Sequence, residues 1–301
     1  MDLLEEVRCD FVVSPLRKKV WEKQLEMLKI FIAICQKNHL KYFAASGTLL
    51  GAIRHQGFIP WDDDIDIIMP RSDYDTFIML AVNDLNCHYS LQVYQTEKLY
   101  PNGHAQIRDN KTTCFIHNSY ADLKRGKNCG IFIDIFPMDD VLDDYKKRKR
   151  SCKRIKRLRT LACNYVYRNP NILKRAIVKS YFIFHSIQKT IEKIDILSKK
   201  FQDQTHTVGL PSFAPGYEKN VWDKSLFDET IELPFEDIMI SVPLHYDEVL
   251  RHEYGDYMSI PENKMEGSEH GKCYFDCDKS YLEYKNISKE EFDKMLFEQK
   301  I

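Results

Sequence analysis

From residue 15 to 38 the apolar positions Val20, Trp21, Leu25, Leu28, Phe31 and Ile34 fall at helical spacing among Lys and Glu, which predicts an opening amphipathic helix. Tyr42 to Ala45 reads as a short strand, Ser46-Gly47-Thr48 as a turn, and Leu49 to Arg54 as a helix beginning there. Beyond Pro60 and Trp61 the segment DDDIDIIM alternates acidic and β-branched residues with a period of two, a strand signal. Ser72 and Asp75 have capping-box spacing for a helix through Val82. Short strands are predicted around residues 89 to 94, 104 to 108 and 112 to 117, followed by the strongly β-like GIFIDIF from Gly130 to Phe136.

From Leu142 to Lys200 the period becomes helical, with a break at Asn169-Pro170. Strands near 227 to 241, a helix started by Pro243, the loop YGDYMSIP and a terminal helix capped by Ser288 and Glu291 complete the chain. These elements predict an α/β (α+β) protein in three parts. A mixed-sheet core with its N-terminal helix covers 1–140, a basic helical insertion covers 141–205, and a segment completing the site covers 206–301.

The chain has 301 residues, 44% apolar and 12% aromatic, enough to fill a core. Its 44 Lys and Arg against 45 Asp and Glu leave no overall basic excess of the kind nucleic-acid binding requires. Charge is informative only where it clusters. Residues 146 to 160 hold ten Lys or Arg in fifteen positions. That run reads as a solvated helix or as one drawn to an anionic surface, either a phosphate-bearing glycan or the inner leaflet of a membrane. No aromatic residues interleave it for base stacking. The start, MDLLEEVRCDF, lacks a basic stretch followed by an apolar one, and no window is apolar enough to span a bilayer, so a cytoplasmic protein is expected. Nine cysteines without a C-x-x-C pair fit reduced thiols.

The densest chemistry lies at Asp62-Asp63-Asp64-Ile65-Asp66. On a strand, residues two apart share a face about 7 Å apart, so Asp62, Asp64 and Asp66 are expected to face one way, backed by Ile65 and Ile67 on the other. Three carboxylates on one edge repel unless a cation joins them, and Mg²⁺ or Mn²⁺ takes such oxygens while keeping positions for water and phosphate. Asp134 is a lone acid in an otherwise apolar strand, and the cost of burying it unpaired points to a basic partner or to the same metal cluster. In the second role it is a further catalytic carboxylate beside Asp64 and Asp66, able to take a proton. The Ser46-Gly47-Thr48 turn opens a helix whose amide end suits a phosphate, and Arg54, Arg108 and Lys111 are candidates to neutralise the transferring group. Asp62-Asp63-x-x-Asp66 and Asp139-Asp140-x-x-Asp143 also spell the DDxxD motif of isoprenoid-diphosphate enzymes, although β-branched neighbours and prolines argue against the long helices that motif needs. A non-catalytic metal-binding scaffold is the answer from another class.

SGTLLGAIRHQGFIPWDDDIDI, with GIFIDIFPMDDV downstream and YGDYM near the C-terminus, resembles the LicD family of phosphotransferases, related to the fukutin proteins, over about residues 40 to 260. The resemblance implies a nucleotidyltransferase fold. It implies a divalent metal on Asp64 and Asp66 with Asp62, Asp134 as the third acidic position, and donor phosphates near Gly47 and Thr48. It further implies transfer of phosphocholine or a polyol phosphate from a CDP-linked donor such as CDP-choline to a cell-surface glycan or its lipid-linked precursor, of the lipopolysaccharide or teichoic acid kind, with release of CMP. If choline is the group carried, Tyr254 and Tyr257 are candidates for the aromatic faces that receive it. The competing enzyme reading is a nucleotidyltransferase that uses an NTP and releases pyrophosphate. His104, His117 and His270 receive no role.

Overall fold

The structure, a computed structural model, describes residues 2–116, 119–167, 171–216, 218–261 and 273–299. Strands β1 (Glu6–Arg8) and β2 (Phe11–Val13) form a small antiparallel pair. Helix α1 (Pro15–Lys37) starts where Ser14 accepts the Arg17 N–H at 3.1 Å and Pro15 supplies a helical φ at its first position. Its predicted apolar face is buried from Val20 to Ile34. The chain continues through β3 (Phe43–Ala44), α2 (Ser46–Arg54), β4 (Asp66–Pro70), α3 (Arg71–Asp84), β5 (Tyr89–Gln92), β6 (Ala105–Asp109), β7 (Thr113–Phe115), α4 (Ser119–Lys124) and β8 (Phe132–Val141). Helices α5 (Tyr145–Val166), α6 (Ile172–Phe184) and α7 (Ile187–Ser198) follow. Then come β9 (Thr207–Gly209), β10 (Val221–Asp223), β11 (Thr230–Phe235), β12 (Ile238–Pro243), α8 (Tyr246–Tyr254), β13 (Tyr274–Asp276) and α9 (Lys289–Glu298).

The mixed sheet is organised on β8, every residue of which is buried. On one edge β4 runs parallel to it, bringing Asp66 opposite Asp134, and β3 continues the sheet antiparallel to β4. The other edge is shared in succession by two antiparallel strands: β6 pairs residues 132–135, with Gln106 opposite Asp134, and β9 pairs residues 139–141. Paired residues on neighbouring strands point to one face, so register alone groups Asp66, Asp134 and Gln106. Helix α1 lies against β6, β8 and α3. No helix among the described residues is long and apolar enough to cross a membrane.

Several local expectations change. The acidic segment joins the sheet only at Asp66, because side chains of α1 take the backbone carbonyls of Asp62 and Asp63. Ser72 does not cap α3, which begins one residue earlier with Arg71. Asp75 instead accepts from the Arg71 side chain at 3.5 Å. Pro243 ends β12, and α8 starts at Tyr246. The predicted break at Asn169-Pro170 lies outside the described residues. The capping box of Ser288 and Glu291 forms as predicted.

Both DDxxD spellings fall outside helices, Asp62–Asp66 on the loop entering β4 and Asp139–Asp143 at the end of β8 and the loop leaving it. The α/β architecture therefore overturns the isoprenoid-diphosphate reading, whose motifs belong on long helices.

Candidate active site

Helix α1 sets the position of the acidic segment. Arg17 Nη1 and Trp21 Nε1 donate to the Asp62 carbonyl at 2.8 and 3.0 Å, and Gln24 Nε2 donates to the Asp63 carbonyl at 2.8 Å. All three side chains are buried, so these charge-assisted and neutral bonds act away from competing water. Trp21 also stacks face to face on Phe58 at 4.7 Å, fixing the chain just before the acids. Burial pulls the Arg17 pKa down, and the charges of Asp63 and Asp62 oppose that pull. Among the described residues, neither carboxylate oxygen of the buried Asp63 accepts a hydrogen bond. Arg17 and Gln24 share a face of α1 with Trp21, but nothing in that spacing marks them as supports for a segment about 40 residues away.

Asp62, Asp64 and Asp66 line one cleft, although only Asp66 lies on a strand. The cleft encloses about 310 Å³, within the range that holds small molecules. Ser46 and Gly47, from the first turn of α2, line the same cleft together with Arg54. The expected turn is thus the helix terminus itself. Ser46 carries a φ of 46°, a conformation that a residue with a Cβ enters only at a cost of roughly 1–2 kcal/mol. Gly47 is needed for close approach: a Cβ there would stand 2.4 Å from Asp62 Oδ2. Thr48 is buried beneath the cleft, and its hydroxyl accepts the Asp66 N–H at 2.8 Å, so it anchors the start of β4 instead of facing the cleft.

Asp134 sits beside Asp66 in the sheet and is buried. Gln106 Nε2 donates to its Oδ1 at 2.7 Å, and His104 Nε2 lies 3.0 Å from the same oxygen. His104 is packed between Phe136 and Phe213, with ring centroids at 4.6 and 5.1 Å. His104 and Gln106 are two apart on a predicted strand, which put them on one face; that this face meets Asp134 is a matter of register. Arg108 donates to Gln106 Oε1 at 2.6 Å, to Gln92 Oε1 at 2.6 Å and to the Gly130 carbonyl at 2.7 Å, with its guanidinium over Phe132. It therefore orients Gln106 and does not line the cleft. Lys111 is exposed in the turn after β6, also away from the cleft. His117 and His270 lie outside the described residues.

The expected set of four carboxylates does not close into a single cluster. Among the described residues no three His, Cys, Asp or Glu side chains stand close enough to hold one ion together. What the donor set does fit is a hard cation on one or two carboxylates, Asp64 and Asp66, whose remaining positions are filled by water and substrate phosphate, the usual habit of Mg²⁺.

Further lining comes from the C-terminal part of the chain, through Tyr254, Asp256 and Tyr257, and from Trp61 just before the acids. Arg54 ties this C-terminal lining to α2 by donating to the carbonyls of Tyr257 and Ser259 at 2.8 and 3.2 Å, with its guanidinium 6.0 Å from the Trp61 ring centroid. The Tyr257 hydroxyl is engaged with Asp247 at 2.7 Å, while Tyr254 is 46% exposed. Neighbouring His55 accepts from Arg54 Nε at 2.9 Å, and burial together with Arg54 and Arg8 holds its pKa down at about 4, so it is a neutral acceptor at neutral pH.

The family model described as LicD/FKTN/FKRP, nucleotidyltransferase domain, matches residues 39–151, the stretch that contains α2, the acidic segment and β8. The lipopolysaccharide cholinephosphotransferase LicD of Haemophilus influenzae is 32% identical over 255 residues, covering 82% of this chain and 92% of that protein. An uncharacterized protein of Rickettsia prowazekii and another of Rickettsia typhi are each 50% identical over 48 residues, 16% of this chain. With an α/β sheet that brings the acidic segment, the α2 terminus and the C-terminal wall around one cleft, and with similarity across nearly the whole of a curated member, the chain belongs to the LicD family.

Proposed function

We propose that this protein transfers phosphocholine, or a closely related substituted phosphate, from a CDP-linked donor to a hydroxyl of a cell-surface glycan or its lipid-linked precursor, releasing CMP. The observation that carries the reading is the cleft itself, where acids, a helix amide end and Arg54 face one another in a chain similar to a cholinephosphotransferase.

In this reading the donor diphosphate lies between the first turn of α2 and the acidic segment. The amides there and Arg54 neutralise charge on the phosphates, while α1 keeps Asp62–Asp66 in place without reorganisation. Asp64 and Asp66 are assigned to hold a divalent cation, which when bound neutralises the diphosphate and stabilises the departing CMP. The acceptor oxygen forms a bond to the distal phosphorus as the bond from that phosphorus to the bridging oxygen breaks, and that oxygen leaves on CMP. Asp134, which stands beside Asp66 in the sheet though outside the cleft lining and is steadied by His104 and Gln106, is assigned to receive the acceptor's proton. Tyr254, exposed at the rim, offers a ring face for a quaternary ammonium.

The test is CMP release from CDP-choline, CDP-ethanolamine, CDP-glycerol and CDP-ribitol with Mg²⁺ or Mn²⁺ and with EDTA as control. Metal-dependent CMP release strongest with CDP-choline is expected, slow hydrolysis by water sufficing where the acceptor is absent. Pyrophosphate release from an NTP, with every CDP donor inert, would replace this reading with nucleotidyl transfer.

A further inference from the structure

Helix α6 carries an apolar face that no described residue covers. Ile172, Leu173, Ile177, Ile183 and Phe184 are 67–84% exposed. At about 100° per residue they share an arc of about 140° with Ala176 and Ser180. The opposite side is the one that packs: Val178 is buried, and Phe182 meets Tyr165 of α5 with ring centroids 4.7 Å apart. Lys174 and Lys179 stand at the two margins of the apolar arc, where their stems can follow it while their charges stay in water.

The surrounding charge identifies what covers this face. From Tyr145 to Ile191 the chain has no Asp or Glu and fifteen Lys or Arg. Of the 44 basic residues in the whole chain this leaves 29 elsewhere, against all 45 acids, so a nearly neutral protein is split into a basic helical segment and an acidic remainder. Helix α6 packs on α5, whose Lys146, Lys149, Lys153 and Arg157 are exposed. A second copy of the chain would bring the same positive segment against this one, at a repulsive cost. An anionic bilayer surface instead matches both halves of the feature, with acyl chains for the apolar arc and headgroups for the flanking cations.

We propose that α6 is an interfacial membrane helix, lying in the plane of an anionic bilayer with Ile172, Leu173, Ile177, Ile183 and Phe184 inserted and the basic face of α5 seated on the headgroups. Charge brings the protein to the surface and the apolar arc holds it there. The inference does not depend on which group the cleft transfers.

Flotation of the full chain with vesicles of phosphatidylcholine, with and without phosphatidylglycerol, tests it. Binding to the anionic vesicles and little to the neutral ones is expected. Ile177→Glu with Phe184→Glu should lower the partition coefficient by about tenfold or more, with an unchanged circular dichroism melt showing that the fold is intact. Phe184→Trp, a conservative probe, should show blue-shifted emission on adding anionic vesicles. No association with anionic vesicles at low salt would overturn the proposal. So would association that leaves both the Trp emission and the effect of the two Glu substitutions at nothing, since charge alone would then account for it. A dimer in solution that Ile177→Glu splits would assign the face to a second copy instead.

Discussion

The acidic run from Asp62 to Asp66 lines a cleft, whereas the run from Asp139 to Asp143, with the same spacing, is closed by donors from elsewhere in the chain. Arg71 grips the fully buried Asp139 with two bonds of 2.6 and 2.7 Å and reaches Asp195 of α7 at 3.0 Å. Asp140 accepts from the Asp203 N–H at 2.7 Å and from Lys224 at 3.0 Å. Asp143 accepts from the His206 N–H and the Thr207 hydroxyl. In the first run the bonds from α1 fall on backbone carbonyls, and the side chains of Asp62, Asp64 and Asp66 turn to the cleft. The same letters therefore make a site in one place and a joint in the other. What separates them is whether α1 holds the main chain or Arg71 and its neighbours hold the carboxylates.

The largest effect expected from breaking this contrast is on turnover. Asp64→Ala and Asp66→Ala should each lower metal-dependent CMP release by about a thousandfold or more, with thermal unfolding little changed. Asp143→Ala should leave turnover within about a few-fold of the parent because it changes a surface joint. Near-normal activity in either of the first two variants would move the chemistry out of the cleft.

Next in size is stability at the joint. Burial opposes the charge on Arg71, and Asp139 with Asp195 more than restores it; burial likewise pushes the Asp139 carboxyl up while Arg71 pulls against it. Arg71→Ala strands a buried carboxylate and should cost about 3–5 kcal/mol in denaturant unfolding, since losing one partner of a buried pair is far worse than losing both. A cost under about 1 kcal/mol would mean that the second run is held by other contacts.

Another buried acid sharpens the comparison on a smaller scale. Glu253 of α8 has its pKa raised by burial to about 8, with Trp222 and Lys219 only partly offsetting it. The folded state therefore binds one more proton than the unfolded chain between about pH 4.5 and pH 8. Stability from this group is present below that window and falls as pH rises through it, by an amount on the order of a few kcal/mol. Glu253→Gln should flatten this slope in unfolding midpoints followed against pH; an unchanged slope would show that the carboxyl is ionised in the fold.

Much of the scaffold was legible because its signals are local. The apolar period of α1, the Ser288 cap, and the continuous apolar run around Asp134 act within a turn or two of chain. Errors arose where a distant group competed. DDDIDIIM alternates like a strand throughout, yet Arg17, Trp21 and Gln24 claim the carbonyls of Asp62 and Asp63, and pairing starts at Asp66. Ser72 and Asp75 spell a cap, yet Arg71 recruits Asp75. Arg54 reaches the cleft as expected, but Arg108 spends its donors on Gln92, Gln106 and Gly130, a destination that depends on β5, β6 and β8 lying side by side.

By itself the sequence determined the α/β class, the family and the short list of acids, because hydrophobic period, turn chemistry and long motifs are properties of neighbouring residues. Only the tertiary structure decided which acids share a cleft, that His104 and Gln106 hold Asp134, and that the described residues leave the face of α6 exposed. Those outcomes depend on strand register and on side chains arriving from tens of residues away. A carboxylate or an apolar stripe takes its role from the groups that reach it, which linear spacing does not encode.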